Sequence, residues 1–274
     1  MEGNECYKFS TIRNFIAAAK AKDIGAIVEI GANIGDVTLS MHDYFPAARI
    51  IAFEAVTEYY EIAAARTAAI PNVTVHNKAV TAQHRFLDDL GERGRGEDEG
   101  LVILKVLPES GPGWLGGSMV LPRDDGRIAD PGEVHGYLKL AQAVTPVTLA
   151  EIMREEQLAE IDILKLDCEG CEYSVLGTDA DLLTRLRFIV GEYHGFDGFM
   201  TIVRRRLFQT HKVNLVGAKD FGCFFAERLD GQSDGILCHG KTGMPAPHLG
   251  DTPVEWHPFN TRYVLPEERA CHGL

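Results

Sequence analysis

The stretch that most constrains this chain is Val28-Glu29-Ile30-Gly31-Ala32-Asn33-Ile34-Gly35, whose last glycine stands 19 residues before Glu54 at the end of Ile50-Ile51-Ala52-Phe53. An apolar run stops at a carboxylate, a glycine-punctuated turn follows, a helix-like segment begins, and a second apolar run ends in another acid. That order predicts a strand, a nucleoside-binding turn, a helix, and a second strand whose terminal carboxylate can chelate a ribose diol. The spacing separates two classes of cofactor. A dinucleotide fingerprint needs G-x-G-x-x-G so that a pyrophosphate can approach the backbone, whereas here Asn33 takes the second glycine's position and the pattern is E-x-G-x-x-x-G. A looser turn with an acid two residues before its first glycine suits S-adenosylmethionine, which carries a cationic amino group and no phosphate. The plain alternative is an ordinary strand-turn-helix of an α/β domain.

At 274 residues the chain has room for one large α/β domain with insertions. A formal charge of −13, with no lysine or arginine stripe to offset it, argues against a nucleic-acid partner. The densest basic cluster, Arg204-Arg205-Arg206, reads as a solvated helix face. No apolar run is long enough to span a membrane, and the first residues lack the pattern of a secretory signal, so a cytoplasmic protein with no membrane partner is expected. Cys168 and Cys171 form a lone C-x-x-C among acids that would raise rather than lower thiol pKa values, so they read as buried reduced thiols.

Strands are predicted at 26–30, 49–54, 72–77, 161–167 and 187–194, with closing strands at 213–216 and 223–228. Helices are predicted from 7 to 22, from Gly35 to Tyr44, over 58–69, from a capping box at Thr148 and Glu151 to about Gln157, from about Glu172, and over 199–209. Over 83–143 regularity is lost apart from a short strand candidate at Leu101–Leu107, and residues 231–274 show no period. The expected fold is α/β: a doubly wound, mostly parallel, seven-stranded Rossmann-like sheet with helices on both faces, plus an insertion and a C-terminal extension. By residue range this gives an N-terminal helix over 1–23, a domain over 24–230, an insertion at about 83–143, and an extension over 231–274. Ligands of such sheets bind beyond the carboxyl ends of the strands, where Glu29, Glu54, Asp167, Glu192 and His194 fall.

The chain resembles the FkbM family of S-adenosylmethionine-dependent methyltransferases. The likeness rests on Glu29–Gly35, Ala52-Phe53-Glu54, Asn77-Lys78-Ala79-Val80, the block from Asp162 to Glu172, and Glu192-Tyr193-His194. The family usually has aspartate at the position of Glu29, and often valine and alanine at those of Cys168 and Cys171. The resemblance implies a class I methyltransferase fold over roughly 24–228 and a donor site made by Glu29, Gly31, Ala32, Asn33, Gly35, Glu54, Ala55, Asn77, Lys78, Ala79 and Asp167, with Asn77–Val80 at the adenine edge.

Glu54 is expected to accept both ribose hydroxyls, and Gly31–Gly35 to pass under the methionine portion of the donor. His194 is the candidate base for an acceptor hydroxyl, because imidazole titrates near about 6.5, with Asp167 and Glu192 orienting it or binding the acceptor. The plain alternative for His194 is a strand-end histidine satisfying backbone groups. Glu169 and Glu172 read as structural. The insertion, with Trp114 and Ser118 as candidate acceptor contacts, reads as a cover over the site. No metal is predicted, although Asp167, Glu192 and His194 have the chemistry to take a divalent ion. The expected activity is O-methylation of a small metabolite or natural-product intermediate. N-methylation, a nicotinamide-dependent oxidoreductase and a non-catalytic cofactor-binding scaffold are the alternatives. The expected partner is a small-molecule acceptor, and a homodimer is compatible with the sequence.

Overall fold

A computed structural model of the chain describes residues 23–81, 101–106, 119–122, 138–168, 171–177, 180–194, 196–217 and 221–229. In chain order the elements begin β1 (Ala26–Ile30), α1 (Asp36–Tyr44), β2 (Arg49–Phe53), α2 (Thr57–Thr67), β3 (Val73–His76) and β4 (Ala79–Thr81). They continue with β5 (Leu101–Val106), β6 (Met119–Pro122), β7 (Leu138–Val144), β8 (Pro146–Thr148), α3 (Leu149–Glu155) and β9 (Ile161–Leu166). The closing elements are α4 (Cys171–Leu176), α5 (Ala180–Leu183), β10 (Leu186–His194), α6 (Phe196–Arg205), a 3-10 turn at Leu207–Gln209, β11 (His211–Gly217) and β12 (Phe221–Arg228).

Seven strands form one sheet in the order β11-β12-β10-β9-β1-β2-β3. All neighbours are parallel except β12, which runs antiparallel to both β10 and β11. This is the doubly wound, mostly parallel sheet expected from the sequence. Alternation along the strands divides the core between two faces. Ile27, Ile50, Ile163, Phe188 and Val190 pack with Met41 and Phe45 on the α1 side. Val28, Ile51, Leu164, Leu166 and Ile189 pack with residues of α3, α4 and α6 on the other. A sheet covered on both faces requires nearly continuous apolar strands, which explains why its central strands are easy to recognise. Glu29 and Lys165 interrupt those runs; they are register partners on β1 and β9 and lie on the α1 side of the sheet.

The region 83–143 differs from its expectation. It is not irregular throughout: β5, β6 and β7 make a three-stranded antiparallel sheet in the order β6-β5-β7. Strand β7, Leu-Lys-Leu-Ala-Gln-Ala-Val, carries small and polar residues whose pattern is too weak to announce a strand without its partner. Two further short strands, β4 and β8, pair in parallel with Ala79 opposite Pro146 and Thr81 opposite Thr148, so the excursion leaves and re-enters the core side by side. Its roots, Ala79 and Val144, pack with Val56 and Tyr59, and with partly buried Ile34 and Ala55 beside the glycine turn.

Two helices also differ in detail. In α1 the buried positions are Thr38 and Met41, while Tyr44 is exposed, because the hydroxyl of Thr38 is taken by a buried acid. The helix expected over 199–209 begins earlier and ends at Arg205, and the 3-10 turn completes it. The capping box is present as expected: Thr148 and Glu151 satisfy each other's backbone amides at the start of α3. The expected N-terminal helix, the 91–100 segment, Trp114, Ser118 and the C-terminal extension lie outside the described residues.

Candidate functional site

The turn after β1 is built from left-handed residues. Gly31 has φ 80°, Asn33 51° and Gly35 86°. At Gly31 the requirement is also steric, since a Cβ there would lie 1.8 Å from the backbone oxygen of Asp167. The sequence reading put glycine there to let a ligand approach. The nearer constraint is the carbonyl at the end of β9. Every amide of the turn has an acceptor within the protein. Gly31 and Ala32 donate to Phe53 O at 2.9 and 3.0 Å, Asn33 to Glu54 Oε2 at 2.7 Å, Ile34 to Asn33 Oδ1 at 2.7 Å, and Gly35 to Ala32 O at 2.9 Å.

Glu54 follows β2 and is buried. Its Oε2 accepts the Asn33 amide, and its Oε1 accepts the Val56 amide at 2.8 Å. Burial pushes its pKa up, opposed by those amides and by Lys165. A carboxylate has about four lone-pair sites, so two amide bonds leave acceptor capacity on each oxygen. Asn77 locks the same corner: its Nδ2 donates to the carbonyls of Glu54 and Ala55 at 2.9 and 3.1 Å, and its Oδ1 accepts from the Thr57 hydroxyl at 2.9 Å. Lys78 turns its ammonium to Glu155, 3.3 Å away, and Ala79 is buried at the root of the excursion.

Beneath the turn lies a charge cluster that the sequence reading only half described. Glu29 has no exposed surface; its Oε2 accepts the Thr38 hydroxyl at 2.5 Å, and its Oε1 lies 3.4 Å from the Lys165 ammonium without a hydrogen bond. Lys165 also donates to Gly31 O at 2.6 Å and stands 3.8 Å from Asp167 Oδ2. Complete burial leaves Glu29 no surface to offer a ligand directly; its link to the turn runs through Lys165, which bonds Gly31 O. Lys165 has no role in the sequence-based expectation, yet a lysine inside an apolar strand signals one, since it must have a partner.

Glu192 and His194 close β10. The register pairs Gly191 with Leu166 on β9 and His194 with Phe221 on β12, so His194 stands past the end of β9 on the strand next to the one that ends in Asp167. A Cβ at Gly191 would meet Leu166 O at 2.2 Å, which keeps this pair of strands close. Glu172, on α4, is fully buried, while Glu169 lies outside the described residues. The cysteines require a correction: Cys168 and Cys171 are joined in a disulfide, with their Cα atoms 5.4 Å apart, rather than standing as two thiols. Neighbouring acids govern thiolate reactivity, whereas bridging is governed by Cα separation, which here lies within the usual range. Cys223 is a buried free thiol.

Among the described residues no group of three or more His, Cys, Asp and Glu side chains is placed to hold a metal ion, and no helix is long and apolar enough to cross a membrane. His211, overlooked in the sequence, starts β11; its ring bonds Leu186 O at 2.9 Å and the Thr210 hydroxyl at 2.8 Å, and burial lowers its pKa to about 4.

The fold has counterparts among solved structures. A precorrin-6y C5,15-methyltransferase from Geobacter metallireducens aligns over 79% of this chain and 87% of its own at 11% identity and TM-score 0.42. A Streptococcus mutans protein in complex with SAH aligns over 80% and 98% at 10% identity and TM-score 0.41. An rRNA methylase from Streptococcus thermophilus aligns over 79% and 93% at 11% identity and TM-score 0.41. No curated protein matches the chain by sequence. A family model does: the methyltransferase FkbM domain matches residues 29–216, from the acid of β1 through β11. The chain therefore belongs to the FkbM methyltransferase family and is an S-adenosylmethionine-dependent methyltransferase.

Proposed function

We propose that the enzyme methylates a hydroxyl of a small metabolite or natural-product intermediate, with the donor held at the Gly31–Gly35 turn and the acceptor at the ends of β9 and β10. The observation that carries the donor site is the turn itself. Its five amides are already satisfied, so the turn itself offers a pyrophosphate no donors. Its surroundings suit a cation instead: Glu29, Glu54 and Asp167 gather around the Lys165 ammonium. These residues fit S-adenosylmethionine and speak against the nicotinamide alternative.

When bound, the donor supplies an electrophilic methyl group on a sulfonium. The chain supplies the rest. Glu54 accepts the ribose hydroxyls with its remaining lone pairs, and Ala55, Asn77, Lys78 and Ala79 line the adenine edge. An alcohol is too weak an acid to ionise at neutral pH, so its proton passes to His194, with Asp167 and Glu192 orienting the imidazole or the acceptor. A base at this position favours a hydroxyl over an amine, which needs less help. Residues 83–143 are read as a cover, with Trp114 and Ser118 as the candidate acceptor contacts. The packing of Ala79 and Val144 beside Ile34 and Ala55 anchors the ends of that region next to the donor turn. The net charge of −13 and the absence of a basic stripe in the sequence support a small acceptor over RNA.

Panels of alcohols and amines, scored by release of S-adenosylhomocysteine, test the acceptor class, and turnover on amines alone would refute it. His194→Gln should lower kcat by about 10²-fold or more with unchanged calorimetric affinity for S-adenosylhomocysteine. Trp114→Ala should impair acceptor use and spare donor binding; normal turnover in that variant would end the cover idea while leaving the chemistry intact.

A further inference from the structure

We infer that Lys165 is a positioning residue that sets how strongly the donor cradle prefers the cationic donor over its neutral product. This rests on reading the Gly31–Gly35 turn as the donor site. Three contacts converge on one ammonium. Lys165 Nζ donates to Gly31 O at 2.6 Å, stands 3.4 Å from Glu29 Oε1, and lies 3.8 Å from Asp167 Oδ2. It also acts electrostatically on Glu54. One side chain therefore holds the carbonyl of the turn's first residue and offsets the acids around it.

The alternation of the sheet makes this placement possible. Lys165 lies on the α1 side of β9, beside Glu29 on β1, and Ala52 is the neighbour of Glu29 on β2. From α1 the facing group is the neutral Thr38 hydroxyl, and beyond β9 it is Asp167. The pair is well buried, so its charges are poorly screened by solvent and act at longer range than exposed ones.

Methyl transfer removes one positive charge from the cofactor, because the sulfonium of the donor becomes the thioether of the product. The two ligands otherwise share their nucleoside, amino group and carboxylate. A cradle of acids alone would favour the donor most strongly, and each buried positive charge reduces that preference. Lys165 gives up part of the donor's electrostatic advantage in return for a fixed turn. Glu29 acts with the opposite sign, while the Lys165–Glu29 pair taken together is neutral.

The test is the ratio of dissociation constants for S-adenosylhomocysteine and S-adenosylmethionine, measured by calorimetry at pH 8 and low salt. The wild-type protein is compared with Lys165→Met, Glu29→Gln, the double variant and Lys165→Arg. Lys165→Met should weaken both ligands through loss of the Gly31 carbonyl contact, yet shift the ratio several-fold toward the donor. Glu29→Gln should shift it toward the product, the double variant should return near the wild-type ratio, and Lys165→Arg should keep it. A purely structural lysine would weaken both ligands equally in Lys165→Met and leave their ratio unmoved, which would overturn the inference. If Lys165→Met does not fold, Lys165→Gln, which removes the charge but keeps a donor for the Gly31 carbonyl, decides by the same ratio. Wild-type protein that binds neither ligand would instead refute the donor-site reading itself.

Discussion

The two ends of the seven-stranded sheet handle charge differently. At the amino end, arginines meet acids: Arg187 binds Asp162 at 2.7 Å, Arg49 pairs with Glu156, and Arg228 pairs with Glu160. Asp162 also accepts the amides of Gly25 and Ala26 at 2.7 and 3.0 Å, tying the start of β1 to β9 and β10. At the carboxyl end, Glu29, Glu54 and Asp167 crowd around Lys165, and backbone amides hold Glu54 in place. Balanced pairs at one end fasten strands, while an excess of buried acid at the other costs desolvation unless a cation arrives. The contrast teaches where to look for a ligand: at the end where, among the described residues, several acids share one lysine.

The most severe way to break the carboxyl end is Gly31→Ala. Both the left-handed φ and the 1.8 Å approach to the Asp167 carbonyl forbid a Cβ, so unfolding free energy should fall by about 4 kcal/mol, read from denaturant titration. A loss below about 1 kcal/mol would show that the turn is looser than this geometry.

His211 sharpens the account of the amino end. Its pKa is lowered from 6.5 in the unfolded reference to about 4 in the fold. The unfolded chain therefore takes up a proton that the folded chain refuses. The stabilisation is complete above about pH 6.5 and is lost as pH falls toward 4, by roughly 3 kcal/mol at about 1.4 kcal/mol per unit. The stability difference between wild-type protein and a folded His211→Gln variant should narrow by that amount over this window. A constant difference would mean that the imidazole charges within the fold.

Glu54→Ala probes the acid excess directly. Affinity for S-adenosylhomocysteine should weaken by about 1.5–3 kcal/mol in a protein that still folds, the scale of hydrogen bonds to a charged group. Unchanged calorimetric affinity would place the ribose elsewhere. The smallest effect is expected opposite it: Arg187→Ala should cost about 1 kcal/mol of stability and leave that affinity untouched, since Arg187 fastens strands far from the turn. If the variant weakens the ligand as much as Glu54→Ala does, the division between the two ends fails.

The framework was legible from particular residues. Ile27 and Val28, Ile50 and Ile51, and Ile163 and Leu164 are fully buried, as apolar runs covered by helices on both faces must be. The capping box at Thr148 and the switch from Ile30 to Gly31 are local devices, so four to eight residues suffice to reveal them. Strands β4, β6, β7 and β8 were not legible, because short or weakly patterned strands depend on their partners for definition. The disulfide was not legible for a similar reason: C-x-x-C allows bridged and free forms alike, and the backbone separation that permits a bridge belongs to the fold.

By itself, the sequence determined the order of strands and helices, the glycine turn, and which acids lie at strand ends. These depend on residue type and on spacing along the chain. Tertiary structure alone decided which charges meet. Glu29 and Lys165 are 136 positions apart in the chain, by their numbers, and become neighbours only because β9 lies beside β1 in register. Gly31 was legible as a turn residue, but the carbonyl that requires it belongs to Asp167, on the far side of that same pairing. Interactions across a parallel sheet depend on strand order and register, which no local pattern encodes.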